Sequence, residues 1–195
     1  RGLGDVYKRQ DILHLHKIGK EFDIIESVGV LHHMQEPMDG WRMLVDCLQD
    51  NGLMKIGLYS QLARQDIVRM RIEIAQSHIG SSDKEMKLFR NRIINSEVSH
   101  YKTILSASDF YSLSNFRDLL FHVKEHRFTL PQLVDCLDKL GLKFCGFEAE
   151  RFVDDFKIKN NAPNDPYDLR KWQIYEEANP QTFNGMYQFW CQKVN

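Results

Sequence analysis

Two apolar runs separated by one amphipathic segment fix the class of fold open to this chain. From Phe22 the run FDIIESVGVL follows the Gly19 turn, is rich in Ile and Val, and is apolar enough to be buried on both faces, as a central parallel strand is. Met38, Trp41, Leu44, Val45 and Leu48 then recur at helical spacing on a single stripe, with Pro37 where a first helical turn tolerates it. Asp50-Asn51-Gly52 predicts a turn, and LMKIGLYS reads as a second strand ending near Tyr59 or Ser60. Strand, helix and strand in that order imply a right-handed parallel crossover, and hence an α/β sheet.

The rest of the chain completes that outline. Residues 61–128 are charged, carry helical periodicity and show no strand signal, so they predict a helical insertion, with a loop over 78–83. Thr129-Leu130-Pro131-Gln132 predicts a capped helix start, Leu130, Leu133, Val134, Leu137 and Leu140 its buried stripe, and Gly141 its left-handed stop. Leu142 to Phe147 reads as a third strand. The turn formers between Lys157 and Asp168 predict a surface loop, a short helix covers about Leu169 to Ala178, and MYQFWCQK is a last strand. The opening RGLGDVYKRQ fits no later pattern. It reads like translated adapter sequence or a frayed arm, so residues 1–10 are set apart from the domain at 11–195.

Composition excludes several functions. With 195 residues and a net charge of -1, the chain has no global field to draw it to nucleic acid, which is not expected as a partner. No apolar run approaches the roughly 20 residues of a membrane helix. Cys47, Cys136, Cys145 and Cys191 are widely spaced inside apolar patterns, which predicts reduced thiols and a cytoplasmic setting.

Both apolar runs are also spelled in a recognisable way. FDIIESVGVLHHMQEP, followed after a helix by LQDNGLMKIGLYS, resembles the fourth and fifth strands of class I S-adenosylmethionine-dependent methyltransferases. The usual family form is an FDxI strand, a VLHH turn, a Pro before the next helix and an L-x-PGG turn. LGLKFCGFE and MYQFWCQK look like strands six and seven of the same Rossmann-like sheet, the last of which runs antiparallel. LFHVKEHRFTLPQL and NPQTFNGMYQFW look like a bacterial subgroup often attached to tetratricopeptide repeats. Asp50-Asn51-Gly52 departs from the Pro-Gly-Gly form, a change that Asn tolerates through left-handed backbone. No glycine-rich loop precedes Asp11, so the expected fragment lacks its N-terminal half, holds part of a cofactor site and is inactive by itself.

The resemblance implies methyl transfer from S-adenosylmethionine to an unidentified small molecule or protein. Such chemistry asks the protein for alignment and exclusion of water more than for dedicated catalytic groups. Ligands of open α/β sheets lie beyond the carboxyl ends of the strands, and the turn after Ile25 is expected at such an end. Glu26, Ser27, Val28 and Gly29 are therefore candidates for the cofactor rim, with Leu31 and His32 beside them. Asp11-Ile12 resembles the acidic-apolar pair that meets the adenine; an ordinary strand-end Asp is the other reading. His33 is a candidate base, against a plain helix-entry residue, and adjacent histidines make a poor chelate, so no metal is expected. His14 and His16 read as one exposed face of a loop or edge segment.

Tyr59 and Arg64 leave the second strand on the acceptor side, where Tyr59 is a candidate catalytic residue and Arg64 a candidate substrate contact. An amphipathic strand end and a solvated charge are the alternatives. Asp109, Tyr111, Ser112, Arg117, Asp118 and His122 sit among apolar residues of the insertion, which suggests a lid with Tyr111 and Arg117 on the substrate; a polar network between helices or a dimer contact explains them equally. A non-catalytic partner-binding domain that keeps the same fold is the alternative function.

Overall fold

The computed structural model describes residues 11–121, 124–148 and 150–194, so the arm at 1–10, and His122 with it, lie outside the described residues. A short 3-10 helix, Ile12–Ile18, opens the chain and carries His14 and His16 exposed. Strand β1 (Phe22–Val28) leads through a 3-10 turn, Leu31–His33, to helix α1 (Pro37–Asp46) and the long strand β2 (Leu48–Ser60). The two strands pair in parallel, as the crossover demands. Leu48 belongs to β2, and the predicted Asp50-Asn51-Gly52 turn is a local outward loop within that strand. Between the pairs Phe22 with Leu48 and Ile24 with Leu53 the register slips, and Asn51 takes φ 62 to make the bend.

Helices α2 (Gln65–Gln76), α3 (Asp83–Ile94), α4 (Ser99–Leu105) and α5 (Leu113–Phe121) follow, then a two-residue strand β3 (Arg127–Phe128), which sequence signals do not announce. β3 pairs in parallel with Tyr59 and Ser60, extending β2 at its end. Helix α6 (Leu130–Leu140) starts with the predicted reciprocal cap between Thr129 and Gln132, and Gly141 closes it at φ 64. After β4 (Leu142–Phe147) come α7 (Glu150–Lys159), α8 (Leu169–Ala178) and β5 (Tyr187–Lys193). The loop predicted from Lys157 begins only at Asn160, because α7 runs on through Lys159.

The sheet has the order β1-β2-β5-β4, with β3 off its path at the end of β2, and the last strand enters antiparallel between β2 and β4. Central strands β2 and β5 carry the dry core, where Met54, Ile56, Leu58, Phe189 and Cys191 are fully buried. Trp41 and Leu44 of α1 and Leu133 and Leu137 of α6 pack onto it. Beyond them Phe156 stacks on Trp172 at 3.7 Å. Helices α2 to α5 bury a second cluster around Met70, Phe89, Phe110 and Phe116.

β1 differs from its prediction. A strand covered on both faces is expected, yet Ile24 is 57% exposed, and Phe22 and Val28 are also open. The cause is position: β1 is the outermost strand, and no described strand lies on its far side. No helix among the described residues is long and apolar enough to cross a membrane.

Candidate functional site

The rim is built where β1 ends. The turn expected after Ile25 comes three residues later, since Glu26, Ser27 and Val28 continue the ladder opposite Lys55, Ile56 and Gly57 of β2. Alternation then decides their surroundings: Ser27 is buried, whereas Glu26 and Val28 are exposed. Val28 and Gly57 approach so closely that a Cβ on Gly57 would lie 2.7 Å from Val28 Cγ1. Gly29 turns the chain with φ 78, a backbone that favours glycine, and Leu31 and His32 follow as buried residues. Asp11, at the start of the described chain, caps the Ile12–Ile18 helix by accepting the Leu13 N–H at 3.0 Å, and Ile12 packs against the main core.

His32 is fully buried, and its ring lies 4.0 Å from that of Tyr59 and 4.3 Å from that of His33. Burial, with the neighbouring His33 adding to it, lowers its pKa from 6.5 to about 4, so the imidazole is uncharged at neutral pH. The Gly57 carbonyl is near enough to favour the protonated ring slightly, but it does not close a hydrogen bond. Among the described residues, the buried side-chain polar atoms without a partner are Ser27 Oγ, both His32 nitrogens and Trp41 Nε1. All four lie on the one stretch that leaves β1 and enters α1. His33 Nδ1 lies 3.2 Å from the Lys124 carbonyl, and His126 donates its N–H to the His32 carbonyl at 2.8 Å. The segment between α5 and β3 is thereby fastened to the rim.

Arg64 is buried and stacks 3.7 Å over the Tyr59 ring. Its guanidinium meets Glu125 at 2.6 Å, and Arg71 and Arg127 reach the same carboxylate at 2.9 and 3.7 Å. Burial raises the Glu125 carboxyl, but hydrogen bonds and charge from Arg64 and Arg71 outweigh it and hold the group below its ordinary range. Burial raises the Tyr59 phenol, with Arg64 opposing, so it stays protonated. Neither Glu125 nor this triple pairing is legible beforehand, because Glu125 sits in a polar string 61 residues from Arg64. A second buried link is likewise not expected: Ser60 donates to Glu176 at 2.6 Å, and Tyr187 donates to the same carboxylate at 2.7 Å.

Tyr59 and Arg64 line a cavity of about 310 Å³ that Asp66 and Ile67 of α2, Asp109 and the loop before β5 complete. A Cβ on Gly29 would meet Met186 Cε, from that loop, at 3.8 Å, so rim and cavity share a wall. Tyr111 and Arg117 do not join this group. Both are exposed, the Tyr111 hydroxyl donating to the Leu105 carbonyl at 2.9 Å and Arg117 pairing with Asp83 at 2.7 Å, which ties α5 to α3. A larger concavity, about 920 Å³, runs along Leu142–Cys145 at the start of β4, away from the carboxyl ends where ligands of such sheets gather. Among the described residues no group of three or more His, Cys, Asp or Glu is arranged to hold a metal.

No family model matches the sequence. Over 165 residues the chain is 27% identical to an uncharacterized protein, syc1184_c, of Synechococcus sp., a match spanning 80% of this chain and 40% of that protein. Among solved structures it is similar to PKMT2 from Rickettsia typhi in complex with AdoHcy, with a TM-score of 0.65, 16% identity, and coverage of 96% of this chain and 38% of that one. A second structure of PKMT2 gives a TM-score of 0.62 at 13% identity, covering 94% and 37%. The chain thus spans about two fifths of the length of the proteins it matches. Its fold is that of the class I S-adenosylmethionine-dependent methyltransferases.

Proposed function

We propose that this chain supplies the acceptor side and part of the cofactor rim of an S-adenosylmethionine-dependent methyltransferase acting on an unidentified acceptor. The observation that carries the reading is the shared wall: β1 ends at Gly29 against the loop that, with Tyr59 and Arg64, encloses the 310 Å³ cavity. The residues present fit such a cofactor. Gly29 puts no side chain at the rim, and Ser27 and His32, on either side of it, hold buried polar atoms that no described residue satisfies. Asp11 accepts the Leu13 N–H at Oδ1, which among the described residues leaves Oδ2 to meet an amino group, and Ile12 is its apolar neighbour.

When bound, S-adenosylmethionine supplies an electrophilic methyl group on a cationic sulfur. The chain's own residues then position the acceptor and manage charge. His32 is uncharged, so it does not repel a cation at the rim, and the charge of Arg64 is answered by Glu125. His33, whose Nδ1 lies 3.2 Å from the Lys124 carbonyl and whose ring lies 6.1 Å from that of Tyr59, is our candidate for taking the acceptor's proton. Tyr59 and Arg64 wall the acceptor, whereas Tyr111 and Arg117 stiffen the insertion above it. Four free thiols support a cytoplasmic setting.

The outer edge of β1, with Ile24 exposed, marks where further strands would complete the cofactor site. Calorimetric titration of S-adenosylhomocysteine into the 195-residue chain, and into the same chain extended by its upstream coding sequence, tests the proposal. Weak binding to the first and one-to-one binding to the second, without binding of NAD, are expected. Absence of binding to both would favour the non-catalytic, partner-binding reading.

A further inference from the structure

Glu125 stands alone among three guanidinium groups. Its side chain is 1% exposed, and Arg64, Arg71 and Arg127 meet it at 2.6, 2.9 and 3.7 Å. Three positive charges therefore face one negative charge, and none of the three arginines pairs with another carboxylate among the described residues. Arginine cannot shed its proton to relieve the excess. Arg71 is held firmly, with Nε and Nη2 donating to the Leu119 carbonyl at 3.2 and 2.7 Å. Arg127 donates Nε to Gln61 at 3.4 Å, faces Glu125 only as a 3.7 Å ion pair, and has no other partner among the described residues.

Beside Arg71 and Arg127 opens a separate cavity of about 500 Å³, whose remaining walls include Val68 and Ile72 of α2, Leu120 and Phe121 of α5, and Glu125, whose carboxylate the arginines already hold. Unanswered cationic charge at the end of a hydrocarbon-lined hollow is complementary to an amphipathic anion. We propose that this cavity binds an aliphatic carboxylate, its head on Arg71 and Arg127 and its chain along α2 and α5. A planar carboxylate matches the guanidinium fork, and the apolar walls accept a chain that a bare inorganic anion lacks. The proposal does not depend on methyl transfer, because it uses neither the rim nor the acceptor cavity.

Calorimetry with octanoate, octanol and acetate on the 195-residue chain provides the test, alongside Arg127→Gln and Ile72→Asp. The second variant places a competing carboxylate at a wall position that is 51% exposed and so tolerant of change. Circular dichroism establishes that each variant is folded. Octanoate is expected to bind one to one, at least tenfold more tightly than octanol or acetate, and each folded variant is expected to weaken it at least tenfold. Absence of octanoate binding, equal binding of octanol, equal binding of acetate, or indifference to both variants would each overturn the proposal.

Discussion

Replacing His32 by Phe isolates the contribution of one buried imidazole to acid stability. In the folded chain its pKa is about 4, against 6.5 for the unperturbed group, so between those values the unfolded chain holds the extra proton. Stability from the neutral ring is complete above about pH 6.5 and is lost as pH falls toward 4. Over the whole window the shift is worth roughly 3 kcal/mol, at roughly 1.36 kcal/mol per pKa unit, and most of that is gone by pH 4.5. For a chain of this size each kcal/mol moves Tm by roughly 2 to 4 °C. Thermal unfolding followed by circular dichroism at pH 7 and pH 4.5 should therefore show wild type losing roughly 5 to 10 °C more than His32→Phe. Each protein is compared with itself at two pH values, so repacking around the new ring cancels. Equal losses in the two proteins would refute a neutral, desolvated His32.

Three further substitutions probe the same region. Glu125→Gln leaves three guanidinium groups without their anion and is expected to cost about 3 to 5 kcal/mol, read as a lower urea midpoint with an unchanged slope. Gly57→Ala forces a methyl group to 2.7 Å from Val28 Cγ1 and 3.0 Å from its Cα, so a loss of about 1 to 3 kcal/mol and faster hydrogen exchange in β1 are expected. Ser60→Ala removes the donor to buried Glu176 and the acceptor for the Leu62 and Ala63 amides, and should lower stability by about 1 to 3 kcal/mol in urea unfolding.

Sequence signals read well where a structural choice is local. The FDIIESV strand, the Thr129 and Gln132 cap, the Gly141 stop and the Leu169–Ala178 helix each depend on neighbours within a few residues, and each is found. Asp50-Asn51-Gly52 carries a sound local signal, and Asn51 does turn left-handed. It does not end the strand, because pairing with β1 and the Lys193 bond to the Leu48 carbonyl at 2.8 Å hold residues on both sides in the sheet. The end of β1 is misjudged for a similar reason, since its ladder partners on β2 decide how far it runs. Tyr59, Arg64 and His32 are visible as candidates, but their mutual stacking and the Glu125 clamp arise from segments far apart in the chain. Solvation of Arg64 is the simple reading of its sequence neighbours, and burial follows only once Glu125 is brought to it.

The central claim is that the end of β1 faces a sulfonium nucleotide across a wall shared with the acceptor cavity. A crystal structure of the chain extended by its upstream sequence, with S-adenosylhomocysteine bound, tests it most directly. The account predicts the sulfur at the rim beside Gly29, pointing toward the cavity lined by Tyr59 and Arg64. Nucleotide bound instead along the start of β4, or among Arg71 and Arg127, would contradict it.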